Sequence, residues 1–436
     1  MLELLLSNCL FLNPFKAYVL LDFSFNEQSL RKTLRRFDFY RKPSLERITA
    51  ENAWIDQALS VVANQFKQPP TVRKLKLGAK DAYSLKAGEL LLSRKLAFDL
   101  KAASQVVSPN RFQIIRCVRS LLEEGVPFNV GRYDIRSFFE SISLSLALGA
   151  IKDVSSLPFF HTQLIHKLLT HLDLLYPQSG QLRGITISAV VSDLVMRNFD
   201  DKLVEHPEVF FYARYVDDII VVSAPTMSGS SLLDLTNSSL PSGLSLNAKK
   251  TQFLIINGAK KQGISSPKTL NFLGYEFGIY EQRKNISLGI RKVKIDIEIR
   301  KEKMFKTKIV LALRDYSKKG DLKLLRLRLK FLSTSFSFIK PGSNRRVVSG
   351  IAVNYSEVSD ARNSRLAVLD TFLVGNLMAF ANGNHRFSRS SNFGLPVAEA
   401  RQLAKHSFVG AHESRCFVAF NPSQVLDIQK IWKNVK

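Results

Sequence analysis

The sequence predicts an α+β fold, and three observations predict it. Runs dense in β-branched and aromatic residues, above all "FFYARYVDDIIVVSA" at 210–224, have strand composition. Stretches with helical spacing, such as "HTQLIHKLLTHLDLLY", stand between them. From Arg291 onward the chain turns basic and reads as mainly helical. Its 436 residues, 45% of them apolar, suffice for two or three packed units with full cores.

The elements follow in order. "NEQSLRKTLRRFDFYRK" (26–42) has helical spacing and a basic face, and "RITAENAWIDQALSVVANQF" (47–66) is a second helix. Pro69 and Pro70 break it, and short basic strand-like pieces come next. "SPNRFQIIRCVRSLLEEG" opens on Ser-Pro and closes on Gly125, which is helix punctuation. "VGRYDI" suits a short strand, after which "RSFFESIS" switches to helical spacing. "RGITISAVVSDLVMRNFDDKLVEH" starts as a loop and continues as one amphipathic helix. "SLLDLTNSSLPSGLSLNAKKTQFLIIN" gives a helix, a turn at Pro241-Ser242-Gly243 and a strand. "LNFLGYEFGIY" and "NISLGI" pair as a hairpin. Residues 291–336 are expected to be long, basic helix, and the rest mostly helical, with "NGNHRFSRSSN" as a loop.

Lys and Arg number 63 against 37 Asp and Glu, a formal net charge of +26. Such an excess points to a polyanionic partner, nucleic acid first and an anionic membrane second. Cys9, Cys117 and Cys416 show no disulfide or zinc spacing, and a reducing cytoplasm is expected. His161, His166 and His171 are five apart, which does not align them on one helix face, so they read as packing or surface residues. The apolar start "MLELLLSNCLFLNPFKAYVLLDF" lacks a basic leader and is interrupted by Glu3, Asn13-Pro14 and Lys16. It reads as a core segment or as extra residues from an upstream start codon, not as a signal peptide or anchor. No membrane association is expected.

Asp217 and Asp218 stand side by side in the 210–224 run. Adjacent strand residues point to opposite faces, so two such acids serve one site only if the backbone turns there. A hairpin turn supplies that, and it also supplies the plain alternative of a solvated turn. A two-metal centre needs further carboxylates converging on ions about 3.5–4 Å apart. Asp134 in "RYDIRSFF", at a strand end followed by helix, fits; helix N-capping is its alternative. Phe139, five residues on, would meet the sugar of a metal-bound triphosphate and exclude a 2′-hydroxyl; core packing of Phe138 and Phe139 competes.

"RYDIRSFFESI", "RGITISAVVSDL", "RYVDDIIV", "GLSLNAKKT" and "FLGYEF" lie in the order and spacing of the palm motifs of reverse transcriptases, and the chain resembles a bacterial member of that superfamily. The resemblance implies a right-hand polymerase with fingers, a palm of antiparallel sheet plus helices, and a mainly helical thumb and C-terminal region. It implies boundaries at 1–125 for the N-terminal region and fingers, 126–290 for the palm, 291–345 for the thumb and 346–436 for a mainly helical extension. It implies metal ligation by Asp134, Asp217, Asp218 and the carbonyl of Ile135, with two Mg²⁺ ions, or Mn²⁺, as cofactors. Lys250 matches the lysine beside the pyrophosphate leaving group, and Phe139 the sugar gate. Phe272, Leu273, Gly274 and Tyr275 match the primer grip. Arg94 and Lys95 sit where basic finger residues hold the incoming triphosphate, a looser match that leaves a template-facing or solvated role open.

The pattern departs at Thr186-Ile187-Ser188-Ala189, where the family has Pro-Gln-Gly-Ser. That departure resembles the abortive-infection and defence-associated enzymes, and "SLRKTLRRFDFYRK" and "LLRLRLKFLSTSF" resemble the type 3 group's smaller subunit. The implied function is RNA-directed DNA synthesis from dNTPs in antiphage defence, templated by a dedicated non-coding RNA. A second reverse transcriptase subunit or a homo-oligomer is a further expectation. The alternatives are a template-independent or protein-primed DNA polymerase, a retron-type enzyme, and a non-catalytic RNA-binding scaffold. Tyr316, Phe331, Phe336 and Phe338 lie among basic residues, where they would stack on bases or form thumb core.

Overall fold

The computed structural model describes residues 22–39, 44–77, 80–107, 110–177, 179–260, 266–285, 289–339, 346–388, 393–415, 417–432 and 435. Most of the apolar start lies outside them, as do parts of the stretches expected as a helix at 26–42, a strand at 285–290 and a loop at 382–392. The chain forms two compact units, one running to Ala259 and one from Lys260, with residues 35–41 and 76–81 grouped with the second.

The first unit opens with α1 (Glu27–Arg31), whose Asn26 and Ser29 cap each other's backbone amides. It is shorter than the spacing predicted. The amide and hydroxyl of Thr33 both turn back to the Leu30 carbonyl and end it. Then come α2 (Ser44–Asn64), β1 (Val72–Leu77), β2 (Lys80–Leu85), α3 (Ala87–Ser104), α4 (Arg111–Leu122) and β3 (Phe128–Asp134). Helices α5 (Phe138–Ser141), α6 (Leu144–Lys152), α7 (Phe159–Leu175), α8 (Thr186–Val195) and α9 (Arg197–Glu205) follow. The single helix expected across 186–205 is thus two, jointed at the buried Met196. Strands β4 (Val209–Tyr215) and β5 (Asp218–Ser223), helix α10 (Gly229–Ser239) and strand β6 (Gln252–Ile256) complete the unit.

Strands β4, β5, β3 and β6 form one antiparallel sheet in that order. Tyr133 pairs with Ile219 and Gly131 with Val221. Tyr133, Ile219 and Val221 join Leu92 and Leu96 of α3, Leu164 and Leu168 of α7, and Ile187 and Val191 of α8 in one hydrophobic cluster. Strand alternation then puts Arg132, Asp134 and Asp218 on the opposite face of the sheet. That face also carries the buried Val130, Ile220 and Val222, so both faces of β3 and β5 are covered and the charged residues stand only at the end of the strands nearest the β4–β5 turn.

The second unit carries β7 (Lys268–Phe272), β8 (Tyr275–Asn285) and β9 (Ile290–Ile297), an antiparallel meander. Strand β9 corrects the reading of 291–297 as helix. Val293, Ile295 and Ile297 alternate with charged residues at period two, and Ile295 and Ile297 are buried. Two long helices follow, α11 (Ile299–Lys319) and α12 (Leu322–Ser333). Next come β10 (Ser335–Ile339), β11 (Arg346–Gly350), α13 (Ile351–Asn354), α14 (Arg365–Ala381), α15 (Val397–Leu403), α16 (Phe408–Ser414), β12 (Phe417–Ala419) and α17 (Pro422–Gln429). The C-terminal region is therefore less purely helical than expected: β10 pairs antiparallel with β11 and parallel with β12. Its "SFSFI" alternates small polar with large apolar residues, which suits a strand.

The aromatic residues of this unit resolve toward core. Tyr316 and Phe336 are buried, and Phe331 stacks on Phe336 at 4.1 Å between ring centroids. Arg328, expected among basic surface residues, is almost wholly buried and bound to Asp315 at 2.6 Å. No helix among the described residues is long and apolar enough to cross a membrane.

Candidate active site

The site is built where β3 ends and β5 begins, on the face of the first unit's sheet that carries Arg132, Asp134 and Asp218. Asp134 ends β3 and Asp218 begins β5, and the two are directly paired across the antiparallel ladder. Directly opposed residues share a face, with Cβ atoms about 4.5–5.5 Å apart. Tyr215 pairs with Asp218, so Val216 and Asp217 form a two-residue hairpin loop. Val216 has φ of 61°, a region that β-branched residues rarely adopt. Backbone of this kind persists only where its surroundings hold it.

Two sets of contacts do the holding. On one side, the Ile135 amide donates to the Asp217 carbonyl at 3.0 Å, tying the turn to the end of β3. On the other, the buried Arg214 donates from Nη1 to the Val216 carbonyl at 3.1 Å. Its Nε and Nη2 grip the two Asp200 oxygens at 2.8 Å each, and Nη1 also reaches Asp193 at 3.3 Å. Tyr212 donates its hydroxyl to Asp200 at 2.6 Å. Burial by itself would lower the Arg214 pKa; the hydrogen bonds and charge of Asp200 outweigh it, and the guanidinium is held charged. A planar fork with five donors is the one side chain that serves these partners together.

Asp134 is 4% exposed and fully engaged. Lys250 Nζ donates to its Oδ2 at 2.7 Å, Asn247 Nδ2 to its Oδ1 at 3.3 Å, and the Asn247 amide to its backbone carbonyl at 2.7 Å. Asn247 also caps the 3₁₀ turn Ala248–Lys250 by accepting from the Lys249 amide. Arg132 Nη2 lies 3.5 Å from Asp218 Oδ1, as two residues on the same strand face allow. Burial pushes the Asp218 carboxyl up, and the charges of Asp217 and then Asp134 push the same way; Arg132 and Lys250 pull against them. Three carboxylates therefore share one electrostatic neighbourhood with more negative charge than the two cations offset.

The donor set suits a hard divalent ion: the three carboxylates offer oxygen alone, and Ile135, expected to add its carbonyl, is tied by its amide to the Asp217 carbonyl. The Lys250 ammonium on Asp134 already marks one carboxylate as a cation partner. Among the described residues no three His, Cys, Asp or Glu side chains are arranged to hold a metal ion by themselves. Mg²⁺ normally completes its shell with water and substrate phosphates.

Phe139 stands on the single-turn helix α5, entered through Ser137 in the left-handed region at φ 47°. Phe138 is the core ring; Phe139 is half-buried, with its ring centroid 5.4 Å from that of Phe138. The guanidinium of Arg183 lies 5.0 Å from the Phe139 ring centroid.

Sequence reasoning brought Asp134, Ile135, Asp217, Asp218 and Lys250 together, as the structure does. Lys95, expected at the incoming triphosphate or else facing template or solvent, is placed elsewhere. That side chain is 3% exposed and donates to both Asp99 oxygens at 2.7 Å and to the Asp22 carbonyl, while His161 Nε2 lies 3.0 Å from Asp99. A buried ammonium so engaged does not face an incoming triphosphate, and Lys95 is better described as fold-holding. Arg94 is half-buried and donates to the Thr33 carbonyl at 3.2 Å. Phe272, Leu273, Gly274 and Tyr275 belong to the second unit. There Leu273 and Gly274 make a two-residue turn with φ of 46° and 85°, the positive-φ pair of a type I′ hairpin. Phe272 and Tyr275 are core, the Tyr275 hydroxyl donating to the Asn354 carbonyl at 2.9 Å.

Sequence reasoning also passed over Arg132, Arg214 and Asn247. All three lie within the quoted motifs. Period-two alternation alone would have placed Arg132 on the face of Asp134.

A comparison with curated proteins returned no match. Residues 129–277, from within β3 into β8, match the family described as reverse transcriptase (RNA-dependent DNA polymerase). The matched span holds the paired aspartates, their turn and Lys250, so the chain carries a reverse transcriptase domain and is an RNA-directed DNA polymerase, a nucleotidyltransferase.

Proposed function

We propose that the chain synthesises DNA on an RNA template by metal-assisted nucleotidyl transfer, with Asp134, Asp217 and Asp218 as metal ligands. The observation that carries this is the direct pairing of Asp134 with Asp218, beside a strained turn that adds Asp217. Two Mg²⁺ ions, or Mn²⁺, would supply charge neutralisation at the attacking and leaving oxygens when bound. The chain's own residues do the rest. Arg214 and the Ile135 amide fix the turn from either side. Lys250, 48% exposed at its side chain while touching Asp134, is free at its outer side to meet a pyrophosphate leaving group and give it a proton. Phe139 stands as the group that turns away a 2′-hydroxyl. Phosphoryl transfer of this kind depends on positioning and electrostatics more than on covalent help.

The proposal extends to a cytoplasmic role in bacterial antiphage defence, with a dedicated non-coding RNA as template and a second reverse transcriptase subunit or a second copy as partner. The net charge of +26 suits a nucleic-acid partner. The test is polymerase activity of the wild type against Asp217→Ala/Asp218→Ala, with co-purifying RNA sequenced. Loss of activity in the double variant and DNA product complementary to the bound RNA are expected. Undiminished synthesis by the double variant would sink the metal assignment.

A second reading, extension of a protein or DNA end with little template use, rests on the first turn of α8. There the altered Ile187 and Ser188 are buried, so these positions serve the core and leave less to meet a template. Homopolymeric or random product would favour it.

A further inference from the structure

Residues 180–184, Gly-Gln-Leu-Arg-Gly, form a strap across the turn that presents Phe139. The Gln181 amide donates to the Phe139 carbonyl at 2.8 Å. Gly180 has φ of 56°, and a Cβ there would lie 2.4 Å from the Glu140 carbonyl oxygen and 2.6 Å from that of Phe139. The strap therefore touches the backbone of α5 at a distance that only glycine permits. Its other end is fastened to β2: the Arg183 carbonyl accepts from the Tyr83 amide at 2.7 Å, and a Cβ on Gly184 would meet the Tyr83 oxygen at 2.6 Å.

Arg183 is the side chain this strap delivers. Its guanidinium is 5.0 Å from the Phe139 ring centroid, and its Nη2 lies 3.3 Å from Glu140 Oε1. Its Nε is buried with no hydrogen-bond partner among the described residues. A guanidinium gives up hydrogen bonding in this way where stacking on an aromatic ring compensates. Phe138 supports Phe139 from the core, and Arg183, anchored on Glu140 of α5, covers it from the strap.

We propose that Arg183 is a positioning residue for sugar selection: it fixes the Phe139 ring where the ring excludes a ribonucleotide. The inference rests on the reading of Phe139 as the sugar gate and assigns it a partner. It also gives the segment just before the departure at Thr186-Ala189 a role independent of template contact.

The test uses the full chain on a primed RNA template and measures kcat/KM for a dNTP and its matching rNTP. Phe139→Ala is expected to raise relative rNTP use at least tenfold. Arg183→Ala is expected to raise it about three- to tenfold, in line with the strength of a partly desolvated cation–π contact. Arg183→Lys, which keeps the charge for Glu140 but not the planar stack, is expected to fall between, and it stands in should Arg183→Ala fail to fold. Arg183→Ala should add little in a Phe139→Ala background. A shift with Phe139→Ala but none with either Arg183 variant overturns the proposal alone, as does an equal loss for both nucleotides. No shift with Phe139→Ala overturns the gate reading and this proposal with it.

Discussion

Arg214→Met removes the guanidinium that joins α8, α9 and the Val216 turn. Four hydrogen bonds go: two to Asp200 at 2.8 Å, one to Asp193 at 3.3 Å and one to the Val216 carbonyl at 3.1 Å. Removing one partner of a fully buried ion pair costs about 3–5 kcal/mol, because the other charge stays behind. Here Arg214 is buried but Asp200 and Asp193 are each about a quarter exposed, so water can resolvate part of their charge. Tyr212 also remains on Asp200. The expected loss is therefore about 2–4 kcal/mol. The first unit holds Trp54 and the second Trp432, so urea unfolding followed by fluorescence in a Trp432→Phe background reports the unit in question. Arg214→Lys keeps a charge but cannot serve Asp200 with two nitrogens and Val216 with a third. It is expected to cost about 1–2 kcal/mol and to slow nucleotide addition more than that loss accounts for. A change below about 1 kcal/mol for Arg214→Met would refute the claim that this network braces the turn.

Gly184→Ala places a side chain at φ 97° and 2.6 Å from the Tyr83 oxygen, and a loss of about 2 kcal/mol or more is expected in the same urea assay. Burial, then the charges of Lys330 and Arg326, hold His406 below its ordinary 6.5. The unfolded chain then takes up the proton first, so stability is fully present above pH 6.5 and falls as pH drops below it. His406→Gln should flatten that part of the stability–pH curve, and an unchanged slope would remove His406 as its source. RNA binding should weaken steeply with salt, the logarithm of the constant falling linearly with the logarithm of salt, as filter binding between about 50 and about 200 mM would show.

The site was legible because its members lie close to motifs with fixed local geometry. "YVDD" encodes its own hairpin, and "RYD" ends a strand on Asp134, which pairs with the first residue after that turn. What was not legible came from residues whose partners are distant in sequence. Lys95 has Asp99 four residues on, a visible helical pair, but His161 and the Asp22 carbonyl meet it only through tertiary packing. Arg183 over Phe139 joins positions 44 apart. Strand β9 was hidden by its composition: lysines and an arginine between aliphatic residues read as an amphipathic helix when the period is not counted. The Arg328 charge looked solvated because Asp315, thirteen residues earlier, lies on a different helix.

The direct pairing of Asp134 with Asp218 has a consequence for how the protein can fail. Side chains alternate along a strand, so a slip of β3 against β5 by one residue would send Asp134 to the helix-packed face and Tyr133 out of it. The same register that seals the core also assembles the carboxylates. A misthreaded chain is therefore not a well-folded but inert polymerase; it loses its interior in the same step that it loses its chemistry, and is left to unfolding and proteolysis. Insertions or deletions within β3 or β5 should accordingly show up as lost protein rather than as altered enzymes.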